Sequence, residues 1–240
     1  MNDPDFVTLW KKKTRWAVPA AAFAVVCFAL LTFFVLRNPV NGFDTAIHDW
    51  FVGIRVRFLN PLIVGISYTG NWQAITPVCA ILLLVPKTRK RFGLPLSTAA
   101  LTCVGIYEIS KKLIGRPRPS HDFFLLEQDG FSFPSGHAMT SVVFFTLLAM
   151  ILWDIRCEKE QGAKFSGWSW LSVVWALLIS LSRLYVGVHW ATDILGGWCI
   201  SCILIIAFAA IWDIGILSRK RVRAELLRPE ESPGNPSQEQ

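Results

Sequence analysis

PSGHAMTSVVFFTLLAMILW, residues 134–153, sets a Pro-Ser-Gly-His turn against an apolar run about as long as a bilayer is thick. Beyond His137 the stretch carries no ionisable side chain until Asp154. Hydrocarbon offers no partners to backbone N–H and C=O groups, so such a run spans as a helix. Ser135 is placed to cap that helix. A cap alone does not require the glycine and histidine that follow, and they raise the question of chemistry at a membrane helix end.

Five further runs extend this reading outward. They cover roughly 16–36, 59–86, 92–110, 165–182 and 190–213, so the chain is expected to be all-α, a six-transmembrane-helix bundle over residues 1–218. The second run holds Pro61, Gly70, Asn71 and Pro77, and its first third reads as an interfacial loop. The polar, Pro- and Gly-containing stretch 219–240 reads as a disordered cytoplasmic tail. The basic KKKTR before the first run, and the absence of a small-residue cleavage site after it, favour a retained anchor over a cleaved signal. With 53% hydrophobic residues among 240, the net charge of +7 points to membrane edges rather than nucleic acid.

Basic residues set the expected orientation. Lys11, Lys12, Lys13 and Arg15, then Lys87, Arg89, Lys90 and Arg91, then Arg156, Lys159 and Lys164, and the tail RKRVR all fall on the side of the termini. That side is expected to be cytoplasmic, in a bacterial inner (plasma) membrane, with the loops after spans one, three and five facing the periplasm or exterior. In DTAIHDWFVGIRVR, Ile47, Trp50, Phe51 and Ile54 recur at helical spacing, which predicts an amphipathic helix resting on the outer interface. The six cysteines lie mostly in apolar runs and read as small hydrophobes, including Cys199 and Cys202.

The outward loops carry the unusual residues. Lys111, Arg118, His137, Arg183, His189 and Asp193 share one side of the membrane, where ionisable groups are costly and usually functional. Three cations suit a phosphate or diphosphate, with forked donors from arginine and a point charge from lysine. Ser135 and Gly136 offer backbone N–H groups at a helix start. His189 and Asp193 are four apart, so a helix beginning near Gly187 would put both on one face, with Asp193 fixing the imidazole tautomer. His189 is then the candidate nucleophile and His137 the general acid. Lys112 and Arg116 read as surface charge or loose headgroup attraction. Glu108 pairs with Lys111 or Lys112, or orients Lys111.

KKLIGRPRP (Lys111, Arg118, Pro119), PSGH (134–137) and SRLYVGVHWATD (Ser182–Asp193) resemble the three ordered signatures of the type-2 phosphatidic acid phosphatase superfamily, across about 83 residues. The six-span layout resembles that superfamily's bacterial membrane lipid phosphatases. The resemblance implies phosphate binding by Lys111, Arg118, Ser135, Gly136 and Arg183. It implies a phosphohistidine on His189 supported by Asp193, and protonation of the leaving oxygen by His137. No metal or other cofactor is implied, and no obligatory protein partner. The expected substrates are lipid mono- or diphosphates: undecaprenyl diphosphate, phosphatidylglycerol phosphate, phosphatidic acid or diacylglycerol diphosphate. Phe123, Phe124, Leu125 and Leu126 are placed to dip into the interface beside such a lipid. A lipid phosphotransferase or a lipid A phosphatase with the same site is the near alternative. A non-enzymatic binder or transporter is the distant one, because binding alone needs the cations but neither histidine.

Overall fold

The computed structural model describes residues 4–160 and 163–219, together with 222 and 226. The expected disordered tail lies almost wholly outside the described residues. Among them no strand occurs, and the chain is built of helices. In order these are α1 (Pro4–Thr14), α2 (Ala17–Arg37), α3 (Gly42–Gly53), α4 (Asn60–Tyr68), α5 (Trp72–Leu84), the single turn α6 (Pro86–Thr88), α7 (Leu94–Ile114), α8 (Gly136–Lys159), α9 (Gly167–Tyr185) and α10 (Ala191–Ile211).

Among the described residues, five segments are long and apolar enough to cross a membrane: Val7–Arg37, Pro86–Ile114, Gly136–Lys159, Gly167–Tyr185 and Ala191–Ile211. The second run, expected at 59–86, is broken. Its first third is helix α4 rather than a loop, and Thr69–Asn71 separate α4 from α5. At 1.5 Å per residue the two pieces are about 13 and 20 Å long, so only together do they approach bilayer thickness. Irregular backbone at membrane depth is tolerated where it lines a cavity, and this break does so through Gly70 and Asn71.

Helix α8 is the hub. Its Met139, Val143 and Leu147 pack with Leu96, Ala99 and Cys103 of α7 and with Ile200, Leu204 and Phe208 of α10. Lipid tails are as apolar as leucine, so close packing and interhelical hydrogen bonds hold such helices together. Ser201 Oγ on α10 donates to the Met139 carbonyl across that interface at 3.1 Å. The outward faces of α2, α7 and α9 present Val18, Phe23, Leu101, Leu113, Trp168 and Trp170, all exposed, as a lipid-facing surface requires.

Helix α3 forms where the amphipathic helix is expected, capped by Asn41, whose Oδ1 accepts from the Asp44 N–H at 3.0 Å. Its apolar stripe is divided, with Trp50 and Ile54 exposed as expected at an interface, while Ile47 and Phe51 pack against Ala138, Leu184 and Ile194. Its polar residues Asp44 and His48 are the buried ones, whereas Phe43, Trp50 and Ile54 are exposed. An apolar face is the one to expose where the surroundings are lipid. The polar face is free to turn inward because the protein supplies partners for Asp44.

Candidate active site

The predicted site residues sit at helix ends or in the loops that join them, and they gather on one side of the bundle. Lys111 is in the last turn of α7, which Gly115 closes in the left-handed conformation (φ 65°). His137 is in the first turn of α8, Arg183 in the last turn of α9, and Asp193 in the first turn of α10. Lys111, Arg118, Gly136, His137, Arg183 and His189 line a single cavity of about 670 Å³. That cavity continues past Ile75, Cys79, Ala80 and Leu83 of α5 and Ala100, Leu101 and Val104 of α7.

His189 has its two ring nitrogens sorted by their neighbours. Nδ1 lies 3.1 Å from Asp193 Oδ2, and Nε2 lies 3.3 Å from Arg118 Nη1. A guanidinium only donates, so Nε2 presents its lone pair and Nδ1–H donates to Asp193. Burial comes first among the causes that push the His189 pKa well below 6.5, followed by the charges of Arg118, Arg183, Lys111 and Arg116. The imidazole is therefore neutral at pH 7, with its free lone pair beside the cations.

The His189–Asp193 pair does not arise from a shared helix face. Helix α10 starts at Ala191, so His189 lies in the turn before it. Asp193 folds back as a capping residue, and its Oδ2 also accepts from the Trp190 N–H at 2.9 Å. Gly187 makes the turn possible with φ 81°, and a Cβ there would stand 2.6 Å from the Phe123 carbonyl oxygen.

The cations are held differently. Arg118 donates to the carbonyls of Asp129, Gly130, Phe131 and Val188, which pins the loop 120–133 over the site. Burial pushes its pKa down to about 10, against the raising influence of Asp193 and Asp129, so it stays charged at neutral pH. Arg183 is fully buried; Nη1 donates to Ser67 Oγ at 2.6 Å and Nη2 to Gln128 Oε1 at 2.8 Å. Its buried Nε–H has no partner among the described residues and remains a spare donor. The Lys111 ammonium rests 5.0 Å from the Tyr107 ring centroid. His137 Nε2 is bonded to Asn71 Oδ1, which makes Nε2 the protonated nitrogen.

Ser135 stands apart from the other predicted phosphate ligands. It is fully buried, does not line the cavity, accepts from Ala138 N–H through its hydroxyl, and spends its own N–H on the Asp193 carbonyl at 3.1 Å. It joins the second motif to the third, while Gly136 and His137 face the cavity. Of the four loop residues expected at the interface, Leu126 lines the cavity and Phe123 packs edge-on against His48 at 5.3 Å.

The model of the family described as the PAP2 superfamily matches residues 92–214, which include every residue just placed around the cavity except those of α4, α5 and their junction. The chain belongs to the PAP2 superfamily. It is 31% identical over 163 residues to the undecaprenyl-diphosphatase of Sulfolobus acidocaldarius, covering 65% of this chain and 72% of that one. It is 31% identical over 186 residues to phosphatidylglycerophosphatase B of Bacillus subtilis, covering 74% and 87%. The crystal structure of a transmembrane PAP2-type phosphatidylglycerolphosphate phosphatase from Bacillus subtilis superposes with a TM-score of 0.70 at 27% identity, covering 80% of this chain and 94% of that one. The structure of Aquifex aeolicus LpxE gives 0.53 at 25% identity, covering 70% and 93%.

Around this PAP2 site the structure adds residues that sequence reasoning missed. Asn71 and Gln128 touch His137 and Arg183, and nothing in their local pattern marks them. Arg116 is the main correction: it is not surface charge, since its side chain has no exposure and bridges Asp44 and Asp193. A signal for Asp44 was present, because Asp44 and His48 lie four apart and form a second, polar stripe on α3. Lys112 is exposed as expected, and Glu108 lines the cavity near Lys111.

Proposed function

We propose that this chain is an integral-membrane lipid phosphate phosphatase working through a phosphohistidine at His189 Nε2. The observation that carries the reading is the oriented, neutral His189 in a cation-lined cavity that runs on into apolar space between α5 and α7. The phosphate group sits among Lys111, Arg118 and Arg183 and takes over the Arg183 donor now given to Gln128. The backbone of Gly136, in the first turn of α8, adds donors at the positive helix end. His189 Nε2 forms a bond to phosphorus as the bond to the leaving oxygen breaks, and His137, entering this step as the doubly protonated imidazolium, gives that oxygen a proton and becomes neutral. Asp193 holds the resulting charged ring. Water then displaces the histidine, with His137 accepting the proton that it earlier gave up.

The apolar continuation of the cavity suits an acyl or prenyl chain. The substrate classes are therefore those expected from the motifs: undecaprenyl diphosphate, phosphatidylglycerol phosphate or phosphatidic acid. The site end of the bundle is assigned to the outer face of a bacterial inner membrane, with the termini in the cytoplasm.

Phosphate release by detergent-purified protein from a panel of lipid mono- and diphosphates, with wild type beside His189→Ala, tests this reading. Release by the wild type that vanishes in the variant supports it. Turnover that survives His189→Ala would remove the phosphohistidine. Transfer of label to a second lipid without phosphate release would identify a phosphotransferase.

A further inference from the structure

The nucleophile's carboxylate partner has a second side, held by a buried guanidinium and a further carboxylate. Asp193 Oδ2 faces His189, whereas Oδ1 lies 2.5 Å from Arg116 Nη1. Arg116 Nη2 in turn lies 2.6 Å from Asp44 Oδ2, Nη1 also donates to Thr192 Oγ1 at 2.7 Å, and Nε donates to the Pro39 carbonyl at 2.9 Å. Asp44 accepts from the Thr192 N–H at 2.9 Å and hydroxyl at 2.7 Å, and from Asn41 Nδ2 at 2.7 Å. The side chains of Arg116, Asp44 and Asp193 are all without exposure.

We infer that Asp44 and Arg116 are positioning residues that aim and charge-balance Asp193, so that helix α3 is part of the catalytic apparatus through Asn41–Asp44–Arg116–Asp193–His189. The inference rests on His189 being the nucleophile. A forked guanidinium reaching two carboxylates fixes both in one plane, which a lysine cannot do. The second carboxylate matters electrostatically. Arg116 alone would draw electron density from Asp193 and weaken its hold on the charged imidazole, and Asp44 offsets that charge. Asp193 is left free to accept from His189 Nδ1 without acquiring a proton itself. Apolar packing of α3, through Ile47 and Phe51 against Ala138, Leu184 and Ile194, does not account for Asp44, which is turned in without exposure to meet Arg116.

Charge gives the proposal a signature that plain structural support lacks. The groups facing His189 are Lys111 of α7, Arg116 and Arg118 of the following loop, His137 of α8, Arg183 of α9 and Asp193 of α10. Removing the positive charge in Arg116→Gln makes His189 easier to protonate and moves the acid limb of kcat/KM to higher pH. Removing the negative charge in Asp44→Asn does the reverse. The limbs are expected to move apart, each by about 0.5–1 pH unit, less than the effect of a directly adjacent charge. Burst-phase formation of alkali-quenched phosphoenzyme on dioctanoyl phosphatidic acid should slow by about 10–100-fold in both, a loss of the size seen for the outer partners of metal-bound histidines, with KM little changed. Arg116→Lys keeps the charge but not the fork, so it should leave the acid limb in place and still lose rate.

Wild-type rates and limbs in both Asp44→Asn and Arg116→Gln, with His189→Ala inactive, would overturn the positioning role alone. Shifts in the same direction would do so too. If Asp44→Asn does not accumulate as a monodisperse protein, Arg116→Lys decides, and an unchanged burst rate overturns the inference. Turnover in His189→Ala would instead bring down the catalytic reading beneath it.

Discussion

At the scale of single residues, chemistry is assigned by what each ring or fork has left to give. His189 is neutral because burial and four nearby cations oppose its protonation. Its pKa is lowered from 6.5, so the competent form is already present at pH 7 and is lost only as pH falls through a value below 6.5. The acid limb of kcat/KM is accordingly expected below pH 6.5, and a limb at or above that value would contradict the assignment. Arg183 is expected to act mainly in the transition state, because one donor, Nε–H, is unspent and another is held only by Gln128. Arg183→Ala should lower kcat by about 10²–10³-fold, in line with the loss of a preorganised donor. Steady-state kinetics will show whether the loss falls on kcat, as expected, or on KM alone.

At the scale of elements, the turns between helices do the positioning. The turn 186–190 carries His189, and Leu125 N–H donates to the Val186 carbonyl at 3.0 Å, so the loop over the site and the turn beneath it are stitched together. Gly187→Ala would combine a positive φ with a Cβ 2.6 Å from a backbone oxygen, which cannot swing away as a side-chain tip would. We expect it to cost more than about 1 kcal/mol. Thermal unfolding in detergent should show a lower midpoint, and a midpoint equal to wild type would mean that the turn relaxes easily. The α4–α5 break works in the same way. Continuous helix through residues 69–71 would carry Asn71 off its bond to His137, and a Cβ on Gly70 would lie 2.5 Å from Ile179 Cγ2.

At the scale of the whole molecule, four helix ends and two loops must arrive on one side together. If that side faces outward, a cysteine introduced at exposed Asp122 will react with an impermeant maleimide on intact cells, and one introduced at exposed Lys87 will not. The reverse pattern would invert the proposed topology. In the proposed reaction Lys111, Arg118 and Arg183, which line the cavity, supply the positive charge for the phosphate, so turnover should persist in EDTA. Strict dependence on a divalent cation would require a different site.

The spans and the three motifs were legible in the sequence because both are local patterns. Twenty apolar residues have no alternative to helix in lipid, and Lys111, Arg118, His137, Arg183 and His189 announce themselves by being charged or titratable at span ends. Tertiary structure alone decided what lies behind them. Arg116 is two residues from Arg118 and of the same type, yet one points to the cavity and the other to a sealed pair of carboxylates. The face that α3 turns inward, the break that delivers Asn71 and the turn that brings His189 to Asp193 likewise depend on partners distant in sequence. A buried charge is stable only where opposite charge and hydrogen bonds meet it, and whether they do is a property of the folded bundle.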